Sequence, residues 1–235
     1  MNRPQGILFD FVNTLVVSLR FDPLAGHARL LEFAVDRKGM RPEDVMAEVS
    51  RLEGELPPKQ DWVIEFTDHQ FNRLLFDRLG ITFRIPMDML ELEFWKAGVE
   101  HGPEPGISET LTALAAHQVK MGGVRNQPGA GAVLSWELQR HDLLRHFEFV
   151  ISSADYGIRK PHGVVFLSAV SKLGLKPSEV WYVGDSLEND ILGANQCQMP
   201  AIWYNRRQQE HGGIARPEAE VRSWEEFTVM AQRLL

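Results

Sequence analysis

The 235-residue chain has a single cysteine, Cys197. That count excludes an internal disulfide and a cysteine-based metal cluster. The chain also lacks a surplus of positive charge, with 25 Lys and Arg against 32 Asp and Glu and a net charge of -7. Neither a nucleic acid nor an anionic membrane surface is therefore expected as its main partner. No apolar run approaches the roughly eighteen residues of a membrane span, and the apolar part of the opening MNRPQGILFDF is too short for a signal peptide. A cytoplasmic location is the expectation. Internal repeats and low-complexity tracts are missing as well. None of the 8 histidines has a second one four residues further along a helix, which argues against zinc.

What is present is a globular composition, 44% hydrophobic and 24% charged. A chain of this length buries roughly 70–75% of its unfolded surface, enough for one large domain or a core carrying an inserted lobe. Five short apolar runs carry strand signals: Gly6 to Phe9, Val119 to Val124, Phe149 to Ile151, Val180 to Val183 and Ala201 to Tyr204. They are continuous rather than alternating, as strands covered on both faces must be. Helical patterns separate the later runs, at Ser108 to His117, Gly131 to Arg140, His162 to Leu173 and Glu188 to Gln196. The alternation predicts an α/β fold, a doubly wound, Rossmann-like parallel sheet of five strands.

From Phe21 to about Val99 only helical periodicity is visible. It runs through Leu24, Leu30, Leu31, Ala34 and Val35, then Val45, Val49 and Leu52, and breaks at Pro57-Pro58. A second run is expected from near Asp61 through Val63, Phe66, Phe71, Leu74 and Leu75, and a third through Leu92 and Trp95 after Gly80 and Pro86. This stretch is too long for a loop. It predicts a helical cap over residues 17–100, inserted into a core of residues 1–16 and 101–235. Phe66, Phe71, Phe76, Phe94 and Trp95 are expected to pack the cap helices together, some of them lining a cap–core cleft. Trp181, Tyr182, Trp203 and Tyr204 read as strand packing, and Arg206-Arg207 as a solvated pair.

Ligands of open parallel sheets bind beyond the carboxyl ends of the strands. The first, second and fourth of those ends carry Asp10-Phe11-Val12-Asn13-Thr14-Leu15, Arg125-Asn126 and Gly184-Asp185-Ser186-Leu187-Glu188-Asn189-Asp190, and Lys160-Pro161 comes between the last two. Carboxylates gathered there invite a hard cation such as Mg2+, and a lysine can neutralise an anionic substrate. Asn126 and Gln127 offer amides to an anion, although Gln127-Pro128-Gly129 is equally a plain turn.

The order and spacing of these motifs, the insertion after the first, and the run from Ser152-Ser153-Ala154-Asp155 to Lys160-Pro161-His162 resemble the haloacid dehalogenase superfamily, most of whose members are Mg2+-dependent phosphatases. The resemblance implies that Asp10 is the nucleophile and becomes an aspartyl phosphate. It further implies that Thr14 holds the nucleophile loop and that Lys160 steadies nucleophile and phosphoryl group. Asp185 and Asp190 become the acidic metal residues, with the Val12 backbone carbonyl as a further donor. Arg125 and Asn126 fall on the phosphate side of the site. The implied reaction is hydrolysis of a small phosphate monoester or acyl phosphate; no oligomeric state is indicated.

Two residues depart from the family pattern. Val12 stands where the phosphatases carry an acid–base aspartate, a loss that typically costs about 10²–10⁴ in rate. Arg125 stands where a Ser or Thr is usual, and could clamp a phosphate, fill the site or turn away. Impaired turnover is the expectation, with a non-catalytic phosphate- and Mg2+-binding or scaffolding protein as the alternative. A dehalogenase reading conflicts with the retained Asp185. A phosphonatase needs a desolvated cap lysine, and nothing in the sequence marks Lys38, Lys59 or Lys96 as one.

Overall fold

The computed structural model describes residues 2–56 and 63–235. Strand β1 (Gly6–Phe9) is followed by β2 (Val16–Phe21) and four helices, α1 (Pro23–Glu32), α2 (Pro42–Glu55), α3 (Asp68–Leu79) and α4 (Met87–Gly98). Strand β3 (Val99–Pro103) leads into α5 (Ile107–Ala116), β4 (Lys120–Arg125), α6 (Gly131–Arg140), β5 (Phe149–Ser152), the short α7 (Ser153–Tyr156) and α8 (Gly163–Leu173). Then come β6 (Val180–Gly184), α9 (Leu192–Gln196), β7 (Ala201–Tyr204), β8 (Ala219–Val221) and α10 (Trp224–Gln232). No described helix is long and apolar enough to cross a membrane.

The main sheet runs β5-β4-β1-β6-β7-β8 and every pairing in it is parallel. It has six strands, not the five expected. The extra edge strand β8 is three residues long and only Val221 is buried in it, too little apolar pattern to register in the sequence. Successive strands lie to one side of β1 and then to the other, so β1 is the point where the winding reverses and where a ligand crevice opens.

Alternate side chains of the strands feed two layers. Ile7, Phe9, Met121, Trp181, Val183 and Ile202 pack with Leu111, Leu134, Leu138, Trp224 and Phe227 from α5, α6 and α10. Leu8, Val124, Ile151 and Tyr182 pack with Val165, Phe166, Ala169 and Ala194 from α8 and α9. Both faces are thus covered, which explains the continuous apolar runs.

Helices α1 to α4 bury a cluster of their own, with Leu30, Leu31, Val45, Leu52, Leu75, Phe76 and Leu90 at its centre. The helical segment is entered and left through an antiparallel ribbon of β2 and β3, register-shifted between Ser18 and Arg20. This second sheet was not expected. Four of the six β2 residues are exposed, so no apolar alternation announces it. Pro57-Pro58, Lys59 and Asp61 lie outside the described residues. The helix expected from near Asp61 begins only at Asp68, because the Thr67 side chain accepts from Gln70 N and caps it. Residues 63–66 run extended against the core instead: Glu65 N donates to Gly157 O at 2.9 Å and Arg159 N to Val63 O at 3.0 Å.

Helix α10, which the sequence pattern did not reveal, anchors the first motif. Trp224 is fully buried, and its Nε1 donates to the Thr14 carbonyl at 2.9 Å. Trp224→Phe leaves that carbonyl buried without a partner and should cost about 1–3 kcal/mol, read as a lower urea midpoint at unchanged m-value.

Candidate functional site

The carboxyl end of β1 delivers Asp10, whose N–H donates to Val183 O at 2.8 Å on the neighbouring β6. The chain then turns sharply. Leu15 N and Val16 N both donate to Phe11 O, Asn13 N donates to Val16 O, and Asn13 takes a positive φ of 62°. Thr14 is fully buried within this turn and its Oγ1 has no partner. The loop is held through the Thr14 carbonyl rather than through that hydroxyl.

Lys160 is the centre of the site. Its Nζ lies 2.6 Å from Asp10 Oδ1, 2.6 Å from Asp190 Oδ1, 2.9 Å from Tyr182 Oη and 3.0 Å from Val124 O. Burial opposes its charge, but the two carboxylates outweigh burial and raise its pKa. Asn126 does not aim its amide at the cleft. Its Nδ2 donates to Lys160 O at 2.8 Å and its Oδ1 accepts from Lys160 N at 2.7 Å, a reciprocal pair that fixes the lysine's backbone.

Tyr182 does more than the packing expected of it. Its hydroxyl donates to Asp190 Oδ1 at 3.2 Å while accepting from Lys160. The signal was a phenol inside a wholly buried strand, since a buried Tyr hydroxyl needs a partner. Burial, and then the charges of Asp190 and Asp10, push its pKa well up.

Asp190 comes from a π-helical turn, Leu187–Ile191, and its Oδ2 accepts from Ser186 N at 3.0 Å. Gly184 permits that position: a Cβ there would meet Asp190 Oδ2 at 2.4 Å. Burial raises the Asp190 pKa despite Lys160. Asp185 stands beside it without an ammonium of its own. Burial, followed by the charges of Asp10 and Asp190, lifts its pKa to about 7. One carboxylate oxygen from each of Asp10, Asp185 and Asp190 lies within 4.8 Å of the others.

These residues, with Val12, Asn189, Arg159 and Arg125, line a cleft of about 240 Å3. Arg159 was missed by sequence reading. It pairs with Glu65 at 2.5 Å, and Glu65 also accepts from Ser153 Oγ, which clasps the extended segment at the rim. Arg207 Nη2 donates to Asn13 Oδ1 at 2.8 Å and Arg206 pairs with Glu104 at 2.7 Å, so neither is merely solvated.

Arg125 turns away from the carboxylates. Its guanidinium carbon lies 5.2 Å from the Phe11 ring centre and 5.9 Å from that of Trp95, and Nη1 is buried without a partner. Burial lowers its pKa to about 10, against the pull of Asp10, Glu137 and Asp185. Arg125 thus lines the cleft with its guanidinium held against the two rings.

Residues 70–204, more than half of the chain, match the family of haloacid dehalogenase-like hydrolases. A phosphoglycolate phosphatase of Yersinia pestis is 30% identical, with 84% of this chain and 79% of that protein aligned. A glyceraldehyde 3-phosphate phosphatase of Methanopyrus kandleri is 37% identical over 44% of each chain. Among solved structures, a phosphatase of the same superfamily from Thermococcus onnurineus superposes over 98% of this chain and 97% of its own, with TM-score 0.62 and 25% identity. A 2-haloacid dehalogenase from Pseudomonas syringae covers both chains fully at TM-score 0.69 and 24% identity, a likeness of fold. With the sheet, the insertion after β1 and the matched segment in agreement, the chain belongs to the haloacid dehalogenase-like hydrolase family.

Proposed function

We propose that the protein is a Mg2+-dependent phosphatase acting on small phosphorylated molecules through an aspartyl phosphate on Asp10. The observation that carries this reading is the pairing of Asp10 with the buried Lys160 ammonium, beside a second carboxylate, Asp185, that has no cation.

The donor set fits a hard divalent cation. It is all oxygen, and burial, followed by the charges of Asp10 and Asp190, raises the Asp185 pKa to about 7, a disfavoured charge that a cation would compensate. Asp10, Asp185 and the main-chain carbonyl of Val12 are the residues to hold it. Both Asp190 oxygens are already engaged, by Lys160, Tyr182 and Ser186 N, so Asp190 acts by orienting Lys160. When bound, Mg2+ supplies positive charge to the phosphoryl oxygens.

Asp10 attacks phosphorus and the bond to the leaving oxygen breaks, while Lys160 faces the developing charge. Water then attacks the aspartyl phosphate, releasing inorganic phosphate and restoring Asp10. No side chain at position 12 can give a proton to the leaving group or take one from water. Leaving groups of low pKa, acyl and aryl phosphates above all, are therefore preferred, and the second step is the slower one. The alternative of a non-catalytic scaffold finds no support in the cleft, which Arg125 does not fill.

The test is phosphate release from acetyl phosphate and p-nitrophenyl phosphate. Release should require Mg2+ and fall to background in Asp10→Asn; release that survives this substitution would sink the mechanism. Val12→Asp should raise kcat on alkyl phosphates by about 10²–10⁴, and an unchanged kcat would count against the missing-acid account.

Asp185 gives a second prediction, on stability. Its folded pKa of about 7 lies above the ordinary aspartate value of 3.8, so the folded state binds the proton more tightly. Its contribution is thus present at low pH and lost as pH rises toward and through 7. Without divalent cations, Asp185→Asn should raise Tm by a few degrees at pH 8 and by little at pH 4.5. Mg2+ should raise the Tm of the wild type at pH 8 and not that of the variant. Differential scanning calorimetry reads both.

A further inference from the structure

Beside the catalytic cleft, between the helical segment and the sheet domain, lies a second cavity of about 350 Å3. Arg125 lines both spaces, so the second cavity begins where the phosphate side of the first one ends. Its walls are apolar and aromatic: Phe66, Phe71, Phe94 and Trp95 line it. Trp95 is fixed in place by an Nε1 hydrogen bond of 2.8 Å to the buried Glu137 on α6.

The polar groups of this cavity are incomplete. Among the described residues, six buried side-chain atoms have no hydrogen-bond partner, and three of them, Arg125 Nη1, Gln127 Oε1 and His27 Nδ1, belong to residues lining this one cavity. Gln127 and His27 are 4% and 5% exposed. Gln127 Nε2 already donates to Gly129 O at 3.1 Å, which leaves its oxygen as the free acceptor. Burial takes the His27 pKa down to about 4, so its ring is neutral. Buried polar groups are normally satisfied, and a cluster left open on one apolar cavity marks where a ligand completes them.

Charge narrows the ligand further. Glu53, Asp68 and Glu91 also line the cavity, Glu91 with its pKa raised by burial to about 7, and with His27 neutral Arg125 is the cavity's one cation among the described residues. A second anionic group would meet Glu53, Asp68 and the ionised fraction of Glu91, whereas a neutral ring with hydrogen-bonding edges would meet no such repulsion.

We propose that this cavity receives the leaving group of the substrate, and that this group is an uncharged aromatic or heteroaromatic ring bearing a carbonyl-type oxygen beside an N–H donor. The oxygen accepts from Arg125, the N–H donates to Gln127 Oε1, and the ring lies among the four aromatic side chains. The inference rests on the phosphatase reading only in placing the ring on the leaving-group side. It separates this protein from a phosphatase for small, charged, non-aromatic substrates, which would leave the cavity empty.

The experiment measures binding without turnover: calorimetric titration of the wild-type protein with benzamide, acetophenone and benzoate. Benzamide has both the acceptor and the donor, acetophenone the acceptor alone, and benzoate replaces the donor by charge. Benzamide should bind about tenfold more tightly than either, the effect of one good hydrogen bond. In Gln127→Met the advantage over acetophenone should vanish while acetophenone binding stays. Benzoate binding more tightly than benzamide would overturn the proposal, as would the lack of saturable benzamide binding at millimolar concentration. The wild-type comparison decides even where the variant fails to fold. Phosphate release from glycerol 1-phosphate without benzamide binding would refute the ring site alone. Benzamide binding without Asp10-dependent phosphate release would refute the phosphatase alone.

Discussion

A single ammonium group sets the geometry of this molecule's working end. Lys160 is 3% exposed, and an isolated charge in such a place is prohibitively costly. It is tolerated because the three central strands each bring it an oxygen: Asp10 just beyond β1, Val124 in β4 and Tyr182 in β6. Asp190 supplies the fourth. Removing one partner of such a buried ion pair typically costs about 3–5 kcal/mol, far more than an exposed pair contributes. The register of the central strands, the π-helical turn that carries Asp190 and the Asn126 grip on the Lys160 backbone all serve one constraint. The lysine must not be left unpaired.

That constraint also explains why Asp185 differs from its neighbours. Three carboxylates face one ammonium, and Lys160 takes Asp10 and Asp190. Asp185 is left with the Asn13 amide and a local field that disfavours its ionisation. A site built for stability alone would have no reason to keep it. An uncompensated carboxylate beside two lysine-paired ones is the imbalance that a divalent cation would correct under the proposed function, and strained pKa values of this kind gather where chemistry is done. The aspartates of the cleft thus divide between two that hold the lysine and one that has no cation beside it.

What could be read from the sequence follows the same physics. Strands covered on both faces must be apolar throughout, so β1, β4, β5, β6 and β7 announce themselves in the string. The residues at their carboxyl ends then mark Asp10, Asp185 and Asp190, and the spacing to Lys160-Pro161 marks the lysine. Elements held by other means leave no such mark. Strand β8 pairs through its backbone at an edge, and β2 is mostly exposed, so neither carries an apolar period. Tyr182 and Asn126 looked like packing and a phosphate ligand because composition cannot show which way a polar tip points. The direction of Arg125 depends on Phe11 and Trp95, residues 114 and 30 positions away, a tertiary fact that no local pattern encodes.

Val12 and Arg125, the two departures from the family pattern, are better understood as one change than as two losses. An acid at position 12 matters most when the leaving oxygen is strongly basic, as in an alkyl phosphate. An aryl or acyl leaving group carries its own negative charge more readily and needs less help. Under the proposed function, Arg125, whose guanidinium lies against two aromatic rings, places a positive charge at the boundary where such a group would depart. It does so in an environment dry enough to lower its own pKa, where electrostatic stabilisation is worth more than in water. In the proposed mechanism, the residue that breaks the motif and the residue that lacks a proton therefore favour the same class of substrate. A restored acid and a small residue at position 125 would return the cleft toward substrates that are small and strongly basic on departure.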